Sequence, residues 1–175
     1  FAVAGLETAL WDALGQSRKS TIAELLGVPD GVAHRGVDSG LAVGLYPNAV
    51  DLLRTIESHM EEGYKRVKIK IAPGWDEVAV AAARDALAGR AVPLTVDANG
   101  AYRWPADTPA LKALDAYGLL YIEQPLAPEE LVGHARLGGL LRTPLCLDET
   151  LRSEGVARQV LELDGPRIWN LKVHR

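Results

Sequence analysis

Six short apolar runs constrain the fold of this chain more than any other feature. They are "LAVGL" (41–45), "VKIKI" (67–71), "LTVDA" (94–98), "LYIEQ" (120–124), "LCLDE" (145–149) and "IWNLK" (168–172), with starts 23 to 27 residues apart. Each has strand length, and several alternate apolar and polar residues with the period of two that half-buried strands show. Between them lie amphipathic stretches with helix punctuation. Leu52, Leu53, Ile56 and Met60 recur at helical spacing between Asn48 and Gly63. Asp76 and Ser153 read as N-caps, Pro128 as a first-turn residue, and Gly63, Gly89, Gly118 and Gly165 as helix stops. Strands alternating with helices predict a parallel sheet built from βαβ units.

The ends of the runs narrow the architecture. Lys70, Asp97, Glu123, Asp148 and Lys172 follow one another in steps of 27, 26, 25 and 24 residues. Parity places each on a shared face: Thr95 with Asp97, Tyr121 with Glu123, Cys146 with Asp148, and Asn170 with Lys172. In a doubly wound sheet both faces meet helices, and a row of charges would be buried to no purpose. In a (β/α) barrel the same positions point into the mouth at the C-terminal end of the strands, where that fold builds active sites. The expected class is therefore α/β, a TIM-type barrel represented by six strands.

Upstream, Ala2, Leu6, Ala9, Leu10, Ala13 and Leu14 share one helical face, and Thr21 and Glu24 have capping-box spacing before a stop at Gly27. "GVPDGVAHRG" has loop composition. With 19 basic and 23 acidic residues, a net charge of −4 leaves no basic footprint for nucleic acid or an anionic membrane. No apolar run reaches the length of about 18 residues that a bilayer span requires. A single cysteine, Cys146, excludes an intrachain disulfide and fits a cytoplasmic setting. The chain opens on "FAVAGLE" rather than on Met, so its start says nothing about a leader.

The residue types suggest a chemistry. Asp97, Glu123 and Asp148 come from three adjacent strands without a histidine or thiol cluster. Carboxylates alone would repel one another, and a divalent cation relieves this; all-oxygen ligands suit Mg2+ or Mn2+. Lys70 and Lys172 flank the carboxylates from strands on either side. A lysine facing other cations can act as a base, and Lys68, together with the metal, would supply that field. This points to proton abstraction beside a carboxylate, with the metal stabilising the enediolate. Cys146 reads as a small hydrophobe. His34, His59, His134 and His174 have no ligand spacing and read as surface or helix residues.

"KIKIAPGWD", "VDANGAY", "YIEQPL", "PLCLDET" and "NLKVHR" together resemble the enolase superfamily. Within its muconate-lactonizing-like subgroup, the chain is similar to the o-succinylbenzoate synthases and the N-acylamino acid (N-succinylamino acid) racemases. A lysine or histidine base working with Mg2+ is a general property of that superfamily. The resemblance implies metal ligands at Asp97, Glu123 and Asp148 and an acid/base pair at Lys70 and Lys172. It implies substrate or supporting contacts at Lys68 and Asn99. In racemase use the two lysines work from opposite faces of the α-carbon. In synthase-type dehydration one lysine serves as base and then acid while the other stabilises the anion. The implied setting is a small carboxylate substrate, menaquinone biosynthesis, and a homo-oligomer without nucleic-acid or membrane partners.

The resemblance further implies that residues 1–35 are the final helices and linker of a capping domain, and that 36–175 are strands one to six of an eight-stranded barrel. On that reading the chain is a fragment of a longer enzyme. Gly100 departs from the small hydroxyl residue common at its place. Two rival readings stand beside this one. The chain could be an inactive partial barrel that pairs with another chain. It could instead be a Schiff-base aldolase-like barrel with Lys172 as nucleophile, which leaves the three carboxylates unexplained.

Overall fold

The structure, a computed structural model, describes residues 2–29 and 39–172. The chain divides into two compact units, one of Ser39–Leu171 and one that joins the N-terminal segment with Lys172. The boundary expected at residues 35/36, most of the "GVPDGVAHRG" loop, His34 and His174 lie outside the described residues.

The N-terminal unit contains helices α1 (Ala2–Arg18) and α2 (Ile22–Leu25). The capping box forms as expected: Glu24 N–H donates to Thr21 Oγ1 at 3.2 Å, and Thr21 N–H to Glu24 Oε2 at 2.7 Å. Gly27 then takes a left-handed φ of +71° and closes the helix. The apolar face expected on α1 is present but not buried. Leu6 and Leu10 are 65% and 63% exposed, and Gly15 is the buried residue of the helix.

The larger unit is a six-stranded parallel sheet in the order β1 (Gly40–Val43), β2 (Arg66–Lys70), β3 (Leu94–Asp97), β4 (Ile122–Glu123), β5 (Leu145–Leu147) and β6 (Ile168–Trp169). Neighbours in sequence are neighbours in the sheet throughout. A doubly wound sheet would reverse its strand order at a switch point, whereas a barrel winds steadily in one direction. This is the partial barrel the sequence predicts. The connecting helices are α3 (Ala49–Glu61), α4 (Glu77–Ala86), α5 (Thr108–Ala113), α6 (Leu131–Gly138) and α7 (Glu154–Glu162).

The caps expected at Asp76 and Ser153 form, with Asp76 Oδ1 accepting from Glu77 N–H at 2.7 Å, and Asn48 caps α3 in addition. Asn48 accepts from Asp51 N–H at 3.0 Å and Ser153 from Val156 N–H at 3.3 Å, each satisfying a donor with no partner inside its helix. Val67, Ile69, Val96 and Ile122 join Leu52, Ile56, Val80, Leu111 and Leu137 of the helices in the main core. The opposite parity is thereby left to the barrel interior.

Two punctuation marks act differently from expectation. Pro128 is not in a helical first turn, because α6 begins at Leu131; it occupies the turn closed by Glu130 N–H to Ala127 O at 3.0 Å. Its fixed φ suits the second position of such a turn. At the end of α7 it is Asp164, not Gly165, that adopts the left-handed φ. Gly165 is needed for contact, since a Cβ there would sit 3.0 Å from the Val160 side chain and carbonyl. Among the described residues no helix is long and apolar enough to cross a membrane.

Ile56 is fully buried in the main core, whereas Val50 on the same helix is 56% exposed. Ile56→Ala should therefore lower the unfolding free energy by about 2–5 kcal/mol, with Val50→Ala near neutral. Urea unfolding of both variants checks this, and equal midpoints would contradict the assignment of the helix face.

Candidate active site

At the C-terminal edge of the sheet, the alternation in "VKIKI" sends Val67 and Ile69 into the core and both lysines to the inner face. Lys70 is paired in register with Asp97, and Asp97 with Glu123. The two carboxylates are almost wholly buried, at 4% and 1% exposure. Two buried anions on adjacent strands require compensating charge. Lys68 provides it, with Nζ 3.1 Å from Glu123 Oε2 and 3.4 Å from Asp97 Oδ2. Lys70 Nζ reaches the same Asp97 oxygen at 3.3 Å. Burial works against the charge on Lys68, but the hydrogen bond and charge of Glu123, followed by those of Asp97, outweigh it and raise its pKa. Lys68 is therefore a fixed cation.

Asn99 links these groups to the next loop. Its Oδ1 accepts from Lys70 Nζ, its Nδ2 donates to Glu149 Oε1 at 2.9 Å, and its backbone N–H donates to Asp97 Oδ1 at 3.1 Å. A left-handed backbone, φ +44°, allows the three contacts together; asparagine tolerates that conformation better than most residues.

Asp148 is also buried, at 2% exposure. It does not stand level with the other two carboxylates. Glu123 is paired with Cys146, and Cys146 with Ile168, so Asp148 and Asn170 lie two residues further along their strands. The row of charges climbs across the sheet instead of forming a flat ring. Strand stagger, which barrel closure demands, is the physical reason. Asn170 leans back across the step and donates from Nδ2 to Glu123 Oε1 at 2.8 Å.

Lys172 is the last described residue and groups by its contacts with the N-terminal unit. Its pairing with Lys70 therefore rests on the sequence resemblance.

Among the described residues, no three acidic, histidine or cysteine side chains lie close enough together to hold an ion. The donor chemistry of Asp97, Glu123 and Asp148 nevertheless fits a hard divalent cation: three buried carboxylates, two of them drawn onto ammonium groups. Cys146 shares their face, but burial first, and then the charges of Glu123 and Asp148, push its thiol up to about 12. It stays protonated, as a small apolar group. Gly40, Ala42, Lys68, Tyr121, Cys146 and Asn170 are among the residues bordering a cavity of about 430 Å3. Residues of β1 and β6 line this one cavity, so the sheet curls around it.

Three contributors escaped the sequence reading. Glu149 orients Asn99, Asn170 holds Glu123, and Gln124 ties the strand ends together. Parity had put Asn170 on the inner face, which was a usable signal. His134, read as a surface or helix residue, is on α6 but buried. Its Nδ1–H donates to Glu130 O at 2.8 Å, and Nε2 accepts from Leu126 N–H at 3.3 Å. Burial lowers its pKa to about 4, against the effect of the Glu130 hydrogen bond.

The chain belongs to the enolase C-terminal domain-like family, whose model matches residues 51–175. It is 45% identical over 178 residues to o-succinylbenzoate synthase of Geobacillus kaustophilus, covering 99% of this chain and 44% of that protein. It is 42% identical over 174 residues to N-succinylamino acid racemase of Thermus thermophilus, covering 99% and 45%. A crystal structure of an enolase-superfamily member from Listeria innocua superposes with a TM-score of 0.83 at 36% identity, covering 97% of this chain and 44% of that one. The chain thus spans less than half the length of the curated relatives it matches.

The protonation of His134 makes stability depend on pH. An unfolded histidine titrates near 6.5 and the folded one near 4, so between these values the unfolded state binds more protons. The contribution is fully present above pH 6.5 and is lost as pH falls toward 4, by roughly 3 kcal/mol in full. Urea unfolding across pH 7.5 to 4.5 should show a shallower loss for His134→Gln than for the wild type. Parallel curves would contradict it.

Proposed function

We propose that these residues form the catalytic half of an enzyme that removes a proton from the carbon beside a substrate carboxylate, of the o-succinylbenzoate synthase or N-succinylamino acid racemase type. The observation that carries the reading is the convergence of Lys68 and Lys70 on the buried Asp97–Glu123 pair, in a chain of this family. Lys70 is the base, and Asn99 fixes the direction of its amine by accepting from it. Lys68 stays charged and supplies a positive field to the carboxylate end of the substrate. Lys172 is the second acid/base group. In racemisation it returns a proton to the opposite face; in dehydration it stabilises the anion while Lys70 serves first as base and then as acid. When bound by Asp97, Glu123 and Asp148, a divalent cation, Mg2+ or Mn2+, would supply charge opposing that which builds on the substrate carboxylate.

Similarity to both named enzymes supports synthase, racemase and dual activity alike. The activity is proposed for the full-length parent. For this chain alone, the fact that β1 and β6 each have a single neighbour in the sheet among the described residues favours a second reading, in which the chain associates with another through those edges. Sedimentation of the isolated chain distinguishes monomer from assembly.

In the full-length parent, Lys70→Ala and Lys172→Ala should each lower turnover by at least about 100-fold while leaving Mg2+ affinity within a few-fold of wild type. Asp97→Asn, Glu123→Gln and Asp148→Asn should weaken Mg2+ binding. Turnover at the wild-type rate in either lysine variant, or an unchanged Mg2+ titration in all three carboxylate variants, would contradict the assignments.

A further inference from the structure

Gln124 is fully buried and follows Glu123 directly, at a left-handed φ of +41°. A long side chain seldom adopts that conformation unless surrounding contacts impose it. Here the contacts come from both neighbouring strands, β3 and β5, and from its own segment just beyond β4. Its N–H donates to Cys146 O on β5 at 2.8 Å, and its carbonyl accepts from Gly100 N–H, in the turn after β3, at 2.7 Å. Its side-chain Oε1 accepts from Asp148 N–H at 2.9 Å and from Thr150 N–H at 3.1 Å. Its Nε2 donates to Thr150 Oγ1 at 2.8 Å and to Leu126 O at 3.0 Å. Two backbone donors on one side and a carbonyl on the other allow only this orientation of the amide. His134 Nε2 lies 3.4 Å from the amide nitrogen and buttresses it.

One residue is therefore bonded covalently to Glu123, by hydrogen bond to the backbone of Asp148, and to the turn that follows Asp97. Those three carboxylates repel one another, and two of them stand on different steps of the staggered sheet. Lys68 bridges Asp97 and Glu123, and a neutral group ties the Glu123 strand end to Asp148. A buried amide does this without adding a charge that would compete with the ion pairs.

We propose that Gln124 is the positioning residue that sets the spacing of Glu123 and Asp148, and through it the affinity of the site for a divalent cation. The inference rests on the metal reading given above. Partners that orient ligands in this way typically change metal affinity by 10–100-fold when removed.

The test is Mn2+ binding to the full-length parent, followed by calorimetry and by the Mn2+ electron paramagnetic resonance signal. Gln124→Met keeps the volume and removes every side-chain hydrogen bond to Asp148 and Thr150. It should weaken Mn2+ binding by about tenfold or more. Ile56→Ala, which loosens the core away from the site, should lower the melting temperature yet keep wild-type affinity. If Gln124→Met does not fold, Thr150→Val and Thr150→Ser replace it; the first should weaken binding and the second restore it. Wild-type affinity in Gln124→Met or Thr150→Val, or an equal loss in Ile56→Ala, would overturn the positioning role alone. Absence of Mn2+ binding by the wild-type parent would overturn the metal reading and this inference with it.

Discussion

The ion pairs from Lys68 to Glu123 and Asp97 are the contacts on which the inner face depends. Two carboxylates at 1% and 4% exposure would be costly to hold on adjacent strands without a cation between them. Lys68 meets that need from a third strand, so one charge network fastens β2, β3 and β4 where their hydrogen-bonded ladders end. The alternation in "VKIKI" serves both halves of the molecule. Val67 and Ile69 close the helix-facing core, and Lys68 and Lys70 turn toward the barrel interior.

The stagger of the strands converts this network into a site with direction. Lys70, Asp97 and Glu123 stand level, whereas Asp148 and Asn170 rise two residues beyond the positions paired with them. Polar side chains bridge the step: Asn170 reaches down to Glu123, and Gln124 reaches across to the backbone of Asp148. The charges are thereby held apart by neutral amides, while the lysines answer them from one side.

Much of this was legible in the residues. Six strand-like runs, their parallel order, the capping box at Thr21 and Glu24, the caps at Asp76 and Ser153, and the inward parity of Lys68 and Asp97 all follow from local patterns. The climb of the charged row was not legible, because stagger is a property of the closing sheet and evenly decreasing spacings look like a flat ring. Gln124 was missed for a related reason: it closes the run "LYIEQ" on the parity opposite Glu123, and its role depends on what β5 brings alongside. His134 was read as a surface or helix residue because one helical turn cannot show that Leu126 and Glu130 would enclose it. On α1 the periodicity grouped Leu6 and Leu10 on one face, yet both are exposed and the buried residue, Gly15, lies off that face.

The most direct test of the central claim, that the lysine and carboxylate face performs proton abstraction beside a carboxylate, is α-proton exchange followed by NMR in D2O. N-succinyl amino acids of both hands would be incubated with the full-length parent and with this chain, with and without Mg2+. Mg2+-dependent loss of the α-proton signal is expected in the parent. Retention of that proton in the parent, with Mg2+ shown to be bound, would contradict it.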